Sequence, residues 1–117
     1  MQDLLLIYFD GTWEQRSLPA RQQIYEEQVQ LAHQLTICGQ YRAGAPLQPP
    51  ATATNVRVRY GKRLVTDGPF AETCEQLGGN MLIDVTALDE AITIAARGAV
   101  ARVGTVEVRP VREEPPT

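Results

Sequence analysis

The sequence predicts an α+β fold in which two helices cover one face of an antiparallel sheet. Three observations predict it: an apolar run near the amino terminus, two segments with apolar residues at helical spacing, and later segments that alternate apolar and polar residues. In chain order the elements are strand, helix, strand, hairpin, strand, helix and strand. Without the hairpin this order is βαββαβ, the split βαβ plan of ferredoxin-like domains.

The first element is a continuous apolar run, Leu4–Phe9, which is rich in strand formers. Such a run predicts a central strand that is buried on both faces of its sheet. Because the helices cover only one face, we expect a second copy of the chain to cover the other. Two sheets that face each other across a two-fold axis would form a homodimer, a dimeric α/β barrel.

The first helix is predicted from Ser17 to about Cys38. Ser17 suits the N-cap, Pro19 suits the first turn, and Gly39 suits the position after the last turn. The residues expected on its apolar face are Ile24, Tyr25, Leu31, Ala32, Leu35 and Cys38. This pattern places the Cys38 side chain in the core.

The middle of the chain predicts a weak or edge strand, a loop and a hairpin. Tyr41–Leu47 contains Gly and Pro, which weaken a strand, and the two prolines of Gln48–Thr52 require an extended loop. Asn55–Arg59 alternates, Tyr60-Gly61 forms a turn, and Arg63–Thr66 returns. This pattern is typical of a β-hairpin.

The last part of the chain predicts a strand, a helix and a final strand. Asn80–Val85 is the strand, Leu88–Arg97 has an amphipathic helical pattern, and Gly98 ends the helix. Val103–Val111 alternates apolar and polar residues, which predicts the last strand. Residues 1–112 are therefore expected to form a single domain, followed by a C-terminal tail at 113–117.

Composition excludes several classes of function. The chain of 117 residues has 11 Lys and Arg against 14 Asp and Glu, a net charge of −3, which argues against a nucleic-acid partner. No apolar stretch approaches the roughly 18 residues of a membrane span, so no membrane partner is expected. The two cysteines form no disulfide framework, which predicts a reduced, cytoplasmic protein. With no clustered Cys and His ligands, neither a metal nor another cofactor is expected.

One long motif resembles a known family. The segment Val65–Gly79 contains Asp-Gly-Pro-Phe and resembles the signature of the DGPF proteins, a branch of the YCII-related family. The resemblance extends over nearly the whole chain. Its flanking matches are Leu4–Tyr8, Leu47–Thr54, Val56-Arg57, Asp89–Ala91 and Val106–Val111.

The resemblance implies a bacterial protein with a ferredoxin-like fold that forms a dimeric α/β barrel. DGPF proteins are often encoded beside extracytoplasmic-function sigma factors, which implies a regulatory context and a sigma factor as a possible partner. Some relatives in the wider family use a His–Asp pair as enzymes. This chain has Cys74 where Lys is common, Ile94 where Trp is frequent, and no His before Gly104. The missing His weakens an acid–base function built on it.

Two polar residues of the first helix are candidates for ligand binding. Arg21 and Gln28 lie one heptad apart, near the middle of the apolar face. A buried polar group needs a partner or a cavity, so they either line a pocket against the sheet or are satisfied structurally. His33 lies about 140° from the centre of that face and is expected to point to solvent.

The DGPF loop supplies the other candidates. Asp67 begins a turn and is the candidate catalytic acid or base, while Glu72 and Glu75 are three residues apart and would share a helical face. The alternative is that Asp67 caps its turn and the glutamates stay solvated. Six aromatic residues could line the ligand pocket, and for Tyr8 and Tyr25 the alternative is packing in the core: Tyr8, Trp13, Tyr25, Tyr41, Tyr60 and Phe70.

Two functional hypotheses follow. The first is a dimeric module that binds a small organic ligand or acts as a regulator. The lack of a catalytic His and of metal ligands favours this hypothesis. The second is a cofactor-free enzyme of lyase or isomerase type, in which Asp67 is the base and Arg21 holds an anion. The second requires Asp67, Arg21 and Gln28 to converge on one enclosed cavity.

Overall fold

The computed structural model describes residues 1–71 and 73–113. Its strands are β1 (Gln2–Asp10), β2 (Tyr41–Pro46), β3 (Thr54–Arg59), β4 (Lys62–Asp67), β5 (Glu75–Asp84) and β6 (Thr105–Pro110). Its helices are α1 (Thr12–Gln15), α2 (Leu18–Ile37), α3 (Leu88–Arg97) and α4 (Val100–Val103), with a 3₁₀ turn at Pro50–Thr52. No helix within the described ranges is long and apolar enough to cross a membrane.

Four strands form an antiparallel sheet in the order β2-β5-β1-β6. In the centre of the sheet, Leu5 of β1 lies between Met81 of β5 and Val108 of β6. Alternate residues of β1 and β5 are buried, because successive side chains of a strand point to opposite faces. The predicted α+β fold with an antiparallel sheet is confirmed.

The helices pack on one face of this sheet and form two clusters of buried apolar side chains. One cluster joins α2 and α3 to the sheet: Leu5, Leu31, Leu35, Met81, Ile83, Val85, Ala91 and Ile94. The other lies around α4 and the end of β1: Ile7, Phe9, Ile24, Ala99 and Val100. The two clusters are where burial of apolar surface stabilises the fold.

No helix of the described part of the chain covers the opposite face of the sheet. We call it the open face; Leu4, Leu6 and Tyr8 of β1 and Leu82 of β5 are half-buried there. In the single chain, therefore, β1 is fully buried only on its helix-covered face. Polar residues border these leucines: Asp84 accepts hydrogen bonds from Arg42 at 2.7 Å and from the amino terminus at 3.3 Å. The bond from Arg42, followed by that from the amino terminus, lowers the pKa of the Asp84 carboxyl.

Strands β3 and β4 form a separate two-stranded hairpin, as predicted. Tyr60 and Gly61 at its turn both have positive φ, 52° and 74°, which suits a tight turn between right-twisted strands. Val56, Val58 and Val65 are each more than half exposed. The molecule measures 50 × 47 × 20 Å along its principal axes, and its radius of gyration is 16.3 Å. A compact domain of this length would have a radius of gyration of about 13 Å.

The predicted long helix is confirmed, but two residues of its expected apolar face, Tyr25 and Cys38, are exposed. The Ser17 Oγ accepts a hydrogen bond from the Ala20 N–H at 3.2 Å, and Gly39 has a φ of +75° after the last turn. Cys38 was expected in the core and is exposed. Leu35 is the last buried residue of α2, and because the chain turns at Gly39 into β2, Cys38 lies beyond the packed part of the helix.

The structure has two helices that were not predicted, and strands β5 and β6 begin at residues other than those predicted. Two single-turn helices, α1 and α4, are too short to show a helical period, and Val103 ends α4 rather than beginning the last strand. Strand β5 begins at Glu75, earlier than predicted. Gly78 and Gly79 lie within it, at positions where neighbouring atoms leave little room for a side chain. At Gly78 a Cβ would lie 2.4 Å from the ring of Phe9.

Candidate functional site

A cleft of about 530 Å³ opens where β1 ends and α2 begins. We call it the α2 cleft. Its lining residues come from the end of β1, both N-terminal helices, the proline loop, the start of β5 and the segment before it: Phe9, Asp10, Gly11, Trp13, Glu14, Leu18, Arg21, Gln22, Tyr25, Leu47, Gln48, Pro49, Pro50, Thr73, Cys74, Gln76, Leu77 and Gly78. Its volume falls within the usual range of small-molecule sites, about 300–1,000 Å³.

Three aromatic side chains form one wall of the α2 cleft. The rings of Phe9 and Trp13 are stacked, with centroids 4.1 Å apart and an angle of 23° between their planes. The ring of Tyr25 meets that of Trp13 edge-on, with centroids 5.7 Å apart. Such packing fixes the orientation of the rings and presents an apolar surface to a ligand.

Arg21 supplies a positively charged side chain to the lining of this cleft. Its Nε is buried and has no hydrogen-bond partner among the described residues, and none of the ion pairs found there involves it. The nearby Asp10 carboxylate already accepts hydrogen bonds from the Thr12 hydroxyl and backbone N–H. The hydroxyl and then the N–H lower the pKa of Asp10. Arg21 can therefore bind a negatively charged group of a ligand.

The segment opposite the aromatic wall is held by its own hydrogen bonds. The Gln76 Nε2 donates to the Ala71 carbonyl oxygen at 2.9 Å and to the Thr73 Oγ1 at 3.1 Å. These bonds hold Thr73 and the exposed thiol of Cys74 at the rim of the cleft. No group of three or more His, Cys, Asp and Glu side chains in the described ranges has the arrangement of a metal site.

A narrower space of about 130 Å³ lies between α2 and the edge of the sheet. We call it the α2–β2 slot. On the helix side it is lined by Ile24, Gln28, Val29 and Ala32. Its other lining residues are Ile7, Phe9, Tyr25, Tyr41, Gly44, Ala45, Pro46, Gly78, Gly79, Asn80, Met81 and Val100.

Gln28 lines this slot, and its Oε1 lies close to Gly98, which lines a separate small space against α3. A Cβ at Gly98 would lie 2.4 Å from the Gln28 Oε1. This Oε1 is buried without a partner among the described residues, and the Nε2 contacts the Met81 sulfur at 3.8 Å. The amide is thus poorly satisfied beside an apolar space.

A third recess, of about 580 Å³, lies between the open face and the base of the hairpin. Tyr8, Phe70 and Glu75 line it. The Tyr8 hydroxyl donates to Glu107 at 3.3 Å, and the Glu75 carboxylate accepts from Thr105 at 2.9 Å. The Arg57 guanidinium lies 4.7 Å from the centroid of the Phe70 ring, a cation–π contact.

The candidate residues predicted from the sequence are thus divided among three places. Arg21 and Tyr25 share the α2 cleft, Gln28 lies in the slot, and Tyr8, Phe70 and Glu75 share the recess. His33 is exposed, as predicted, and Glu72 lies outside the described residues. Phe9 and the proline loop were not predicted as site residues, although the two prolines that follow Leu47-Gln48 indicate an ordered loop with apolar surface.

Asp67 is exposed at the end of β4, opposite Thr54 of β3. The turn after it is held by backbone and amide groups: Gly68 N–H donates to the Ala53 carbonyl, and the Asn55 amide donates to the Gly68 carbonyl at 2.6 Å. Asp67 does not line the α2 cleft or the slot. Its predicted catalytic function remains a prediction.

Tyr8 should make the stability of the protein sensitive to alkaline pH. Burial, and then the Glu107 carboxylate, raise the pKa of its phenol above 10.0. Because the folded state holds this proton more tightly, the stabilisation is complete below about pH 10 and is lost as the pH rises through the folded-state pKa. Urea unfolding between about pH 8 and about pH 11 should show a smaller loss of stability in Tyr8→Phe. Equal losses in the two proteins would contradict this prediction.

Comparison with known proteins identifies the family. Residues 1–115 match the model of the YCII-related domain, essentially the whole chain. The chain is also similar to "Uncharacterized protein R00369" of Rhizobium meliloti (strain 1021), with 46% identity over 69 residues. That match covers 57% of this chain and 56% of the relative, just over half of each. The chain therefore belongs to the YCII-related domain family, as its Asp-Gly-Pro-Phe motif predicted.

Proposed function

We propose that this protein is a bacterial, cytoplasmic, dimeric module that binds a small organic carboxylate in the α2 cleft. One observation carries the proposal: the Arg21 Nε is buried beside the stacked rings of Phe9 and Trp13, and no partner for it lies among residues 1–71 and 73–113. A regulatory function with a sigma factor as partner is supported by the resemblance to DGPF proteins.

The ligand class follows from the energetics of Arg21. A buried donor without a partner costs about 1–3 kcal/mol, and a carboxylate that accepts from a guanidinium removes this cost through a charge-assisted hydrogen bond. The aromatic wall favours a ligand with a flat or apolar part. Glu14, also at the cleft, can accept a hydrogen bond from a hydroxyl or amino group of the same ligand.

Replacing Arg21 by glutamine should weaken the binding of benzoate about 10- to 100-fold, because one charge-assisted contact is lost. Isothermal titration calorimetry measures the change in Kd. Arg63→Gln is the matched control, since Arg63 lies in β4 and does not line the cleft. Unchanged affinity in Arg21→Gln, or no detectable binding of any small carboxylate to the wild type, would refute the proposed site.

Binding, rather than catalysis by Asp67, is the function that the arrangement supports. A cofactor-free lyase or isomerase would need Asp67 to reach a ligand held by Arg21. The two residues line different parts of the surface, and Asp67 is exposed in the hairpin. The enzyme hypothesis would return if Asp67→Asn abolished a turnover that the wild type performs on a bound carboxylate.

We further propose that the fold is ferredoxin-like and that a second copy covers the open face to form a dimeric α/β barrel. The strand order β2-β5-β1-β6 supports the fold, because removal of the hairpin leaves the split βαβ order. Half-buried Leu4, Leu6 and Leu82 support the dimer, since they offer apolar surface at the centre of the open face.

Light scattering after size exclusion, at micromolar concentration, should give about twice the 12.9 kDa mass of one chain. Leu6→Glu should produce a folded monomer, because it places a charge in the centre of the proposed interface. Ile92→Glu is the control, since Ile92 is half exposed on α3. A monomeric wild type would exclude the dimer.

A further inference from the structure

We infer that the α2–β2 slot binds the apolar tail of the carboxylate whose charged group is held by Arg21. The inference rests on the proposed function and deepens it. It specifies an elongated monocarboxylate, whose tail is about the size of one benzene ring, and thereby excludes dicarboxylates and short, compact acids as the preferred ligands.

The α2 cleft and the slot are adjacent and share part of their walls. Phe9, Tyr25 and Gly78 line both spaces. Gly78 is necessary for this arrangement, because any side chain there would overlap the Phe9 ring. The aromatic wall that faces the charged group of a ligand in the cleft therefore continues into the slot. Arg21 and Gln28 lie two turns apart on the same face of α2, one at each space.

The size and chemistry of the slot determine what it can hold. An apolar cavity of about 150 Å³ binds benzene, so the slot, at about 130 Å³, fits one small ring or a short alkyl chain. Ile24, Val29, Ala32 and Met81 supply an apolar lining. A second carboxylate would lose its hydration there without a cation to compensate, since neither Lys nor Arg lines the slot within the described part of the chain.

Gln28 adds one polar feature to this apolar space. The Met81 sulfur is a weak acceptor for its Nε2, and its Oε1 is unpartnered among the described residues. The oxygen of a hydroxyl or carbonyl group on the tail would accept from the Nε2 more strongly than the Met81 sulfur does. A hydroxylated or keto tail should therefore bind more tightly than a hydrocarbon tail of the same size.

Calorimetric titration of the full chain with benzoate and with phenylpentanoate tests the inference. Each methylene group that becomes buried should tighten binding about fourfold, so phenylpentanoate should bind at least tenfold more tightly than benzoate. Ala32→Leu should remove this gain by filling the slot, while the affinity for benzoate stays unchanged. Ala20→Leu is the matched control, because Ala20 is on the same helix and lines neither space.

A second variant guards against a failure of Ala32→Leu to fold. Val29 is 55% exposed at the rim of the slot, so Val29→Phe should fold and should also remove the gain. If benzoate binds but phenylpentanoate binds no more tightly, or if its advantage survives both variants, the inference is wrong and the proposed site stands. If neither acid binds the wild type, the proposed function and the inference both fail.

Discussion

Replacing Asp3 by valine is expected to raise the free energy of unfolding by about 1–3 kcal/mol, because a buried polar group without a partner is lost. Asp3 is 0% exposed, and both of its carboxylate oxygens lack a hydrogen-bond partner within the described residues. It lies in β1 between Ile83 of β5 and Pro110 of β6, on the helix-covered face with Leu5. Valine is a strand former and would add apolar contacts there.

Urea denaturation followed by circular dichroism measures this change, with Gln2→Val as the control. Gln2 precedes Asp3 in the same strand and is exposed, so its replacement should alter stability by no more than about 0.5 kcal/mol. A loss of stability in Asp3→Val would contradict the expectation. It would show that the Asp3 carboxylate has a favourable partner beyond the contacts of the described residues.

Replacing Gly104 by alanine is expected to lower the free energy of unfolding by about 2–4 kcal/mol, because overpacking forces the backbone to move. A Cβ at Gly104 would lie 2.2 Å from the Tyr8 carbonyl oxygen and 3.6 Å from the Phe9 ring. The oxygen belongs to the backbone of β1, so no side-chain rotation removes the overlap. Strand β6 would have to move away from β1 where Tyr8 pairs with Thr105.

Gly11→Ala is the matched control, since a Cβ there would meet nothing within 4 Å. Its backbone is also helical, with φ −63° and ψ −16°, so alanine should be neutral or stabilise by up to about 1 kcal/mol. Thermal unfolding distinguishes the two variants. Because the added Cβ would displace the end of β1, which includes Phe9 of the cleft, Gly104→Ala should also weaken benzoate binding in the α2 cleft. Wild-type stability in Gly104→Ala would contradict the close packing of β1 and β6.

The elements with strong periodic patterns could be predicted from the sequence. Strand β1, helices α2 and α3 and the hairpin each have a pattern that extends over several residues, and each is present. The single-turn helices could not be predicted, since four residues show no period. Asp3 was missed because the first strand was begun at Leu4, the first apolar residue. In the structure Asp3 alternates with Leu4 and is buried on the same face as Leu5.

The candidate site could be predicted only in part. The helical period placed Arg21 and Gln28 on the inner face of α2, and both line spaces beside it. The role of Trp13 depends on α1, and the role of Phe9 depends on the missing side chain at Gly78. Such contacts between distant segments are set by tertiary packing, which a pattern along the chain does not report.

The hairpin gives the molecule an uneven distribution of charge. Strands β3 and β4 contain Arg57, Arg59, Lys62 and Arg63 but only one carboxylate, Asp67, while the whole chain has a net charge of −3. The excess of negative charge therefore lies outside these two strands, and the exposed hairpin is a positively charged part of the surface. An acidic partner would be drawn to the hairpin end, and the association rate should fall as salt shortens the Debye length to about 10 Å or less.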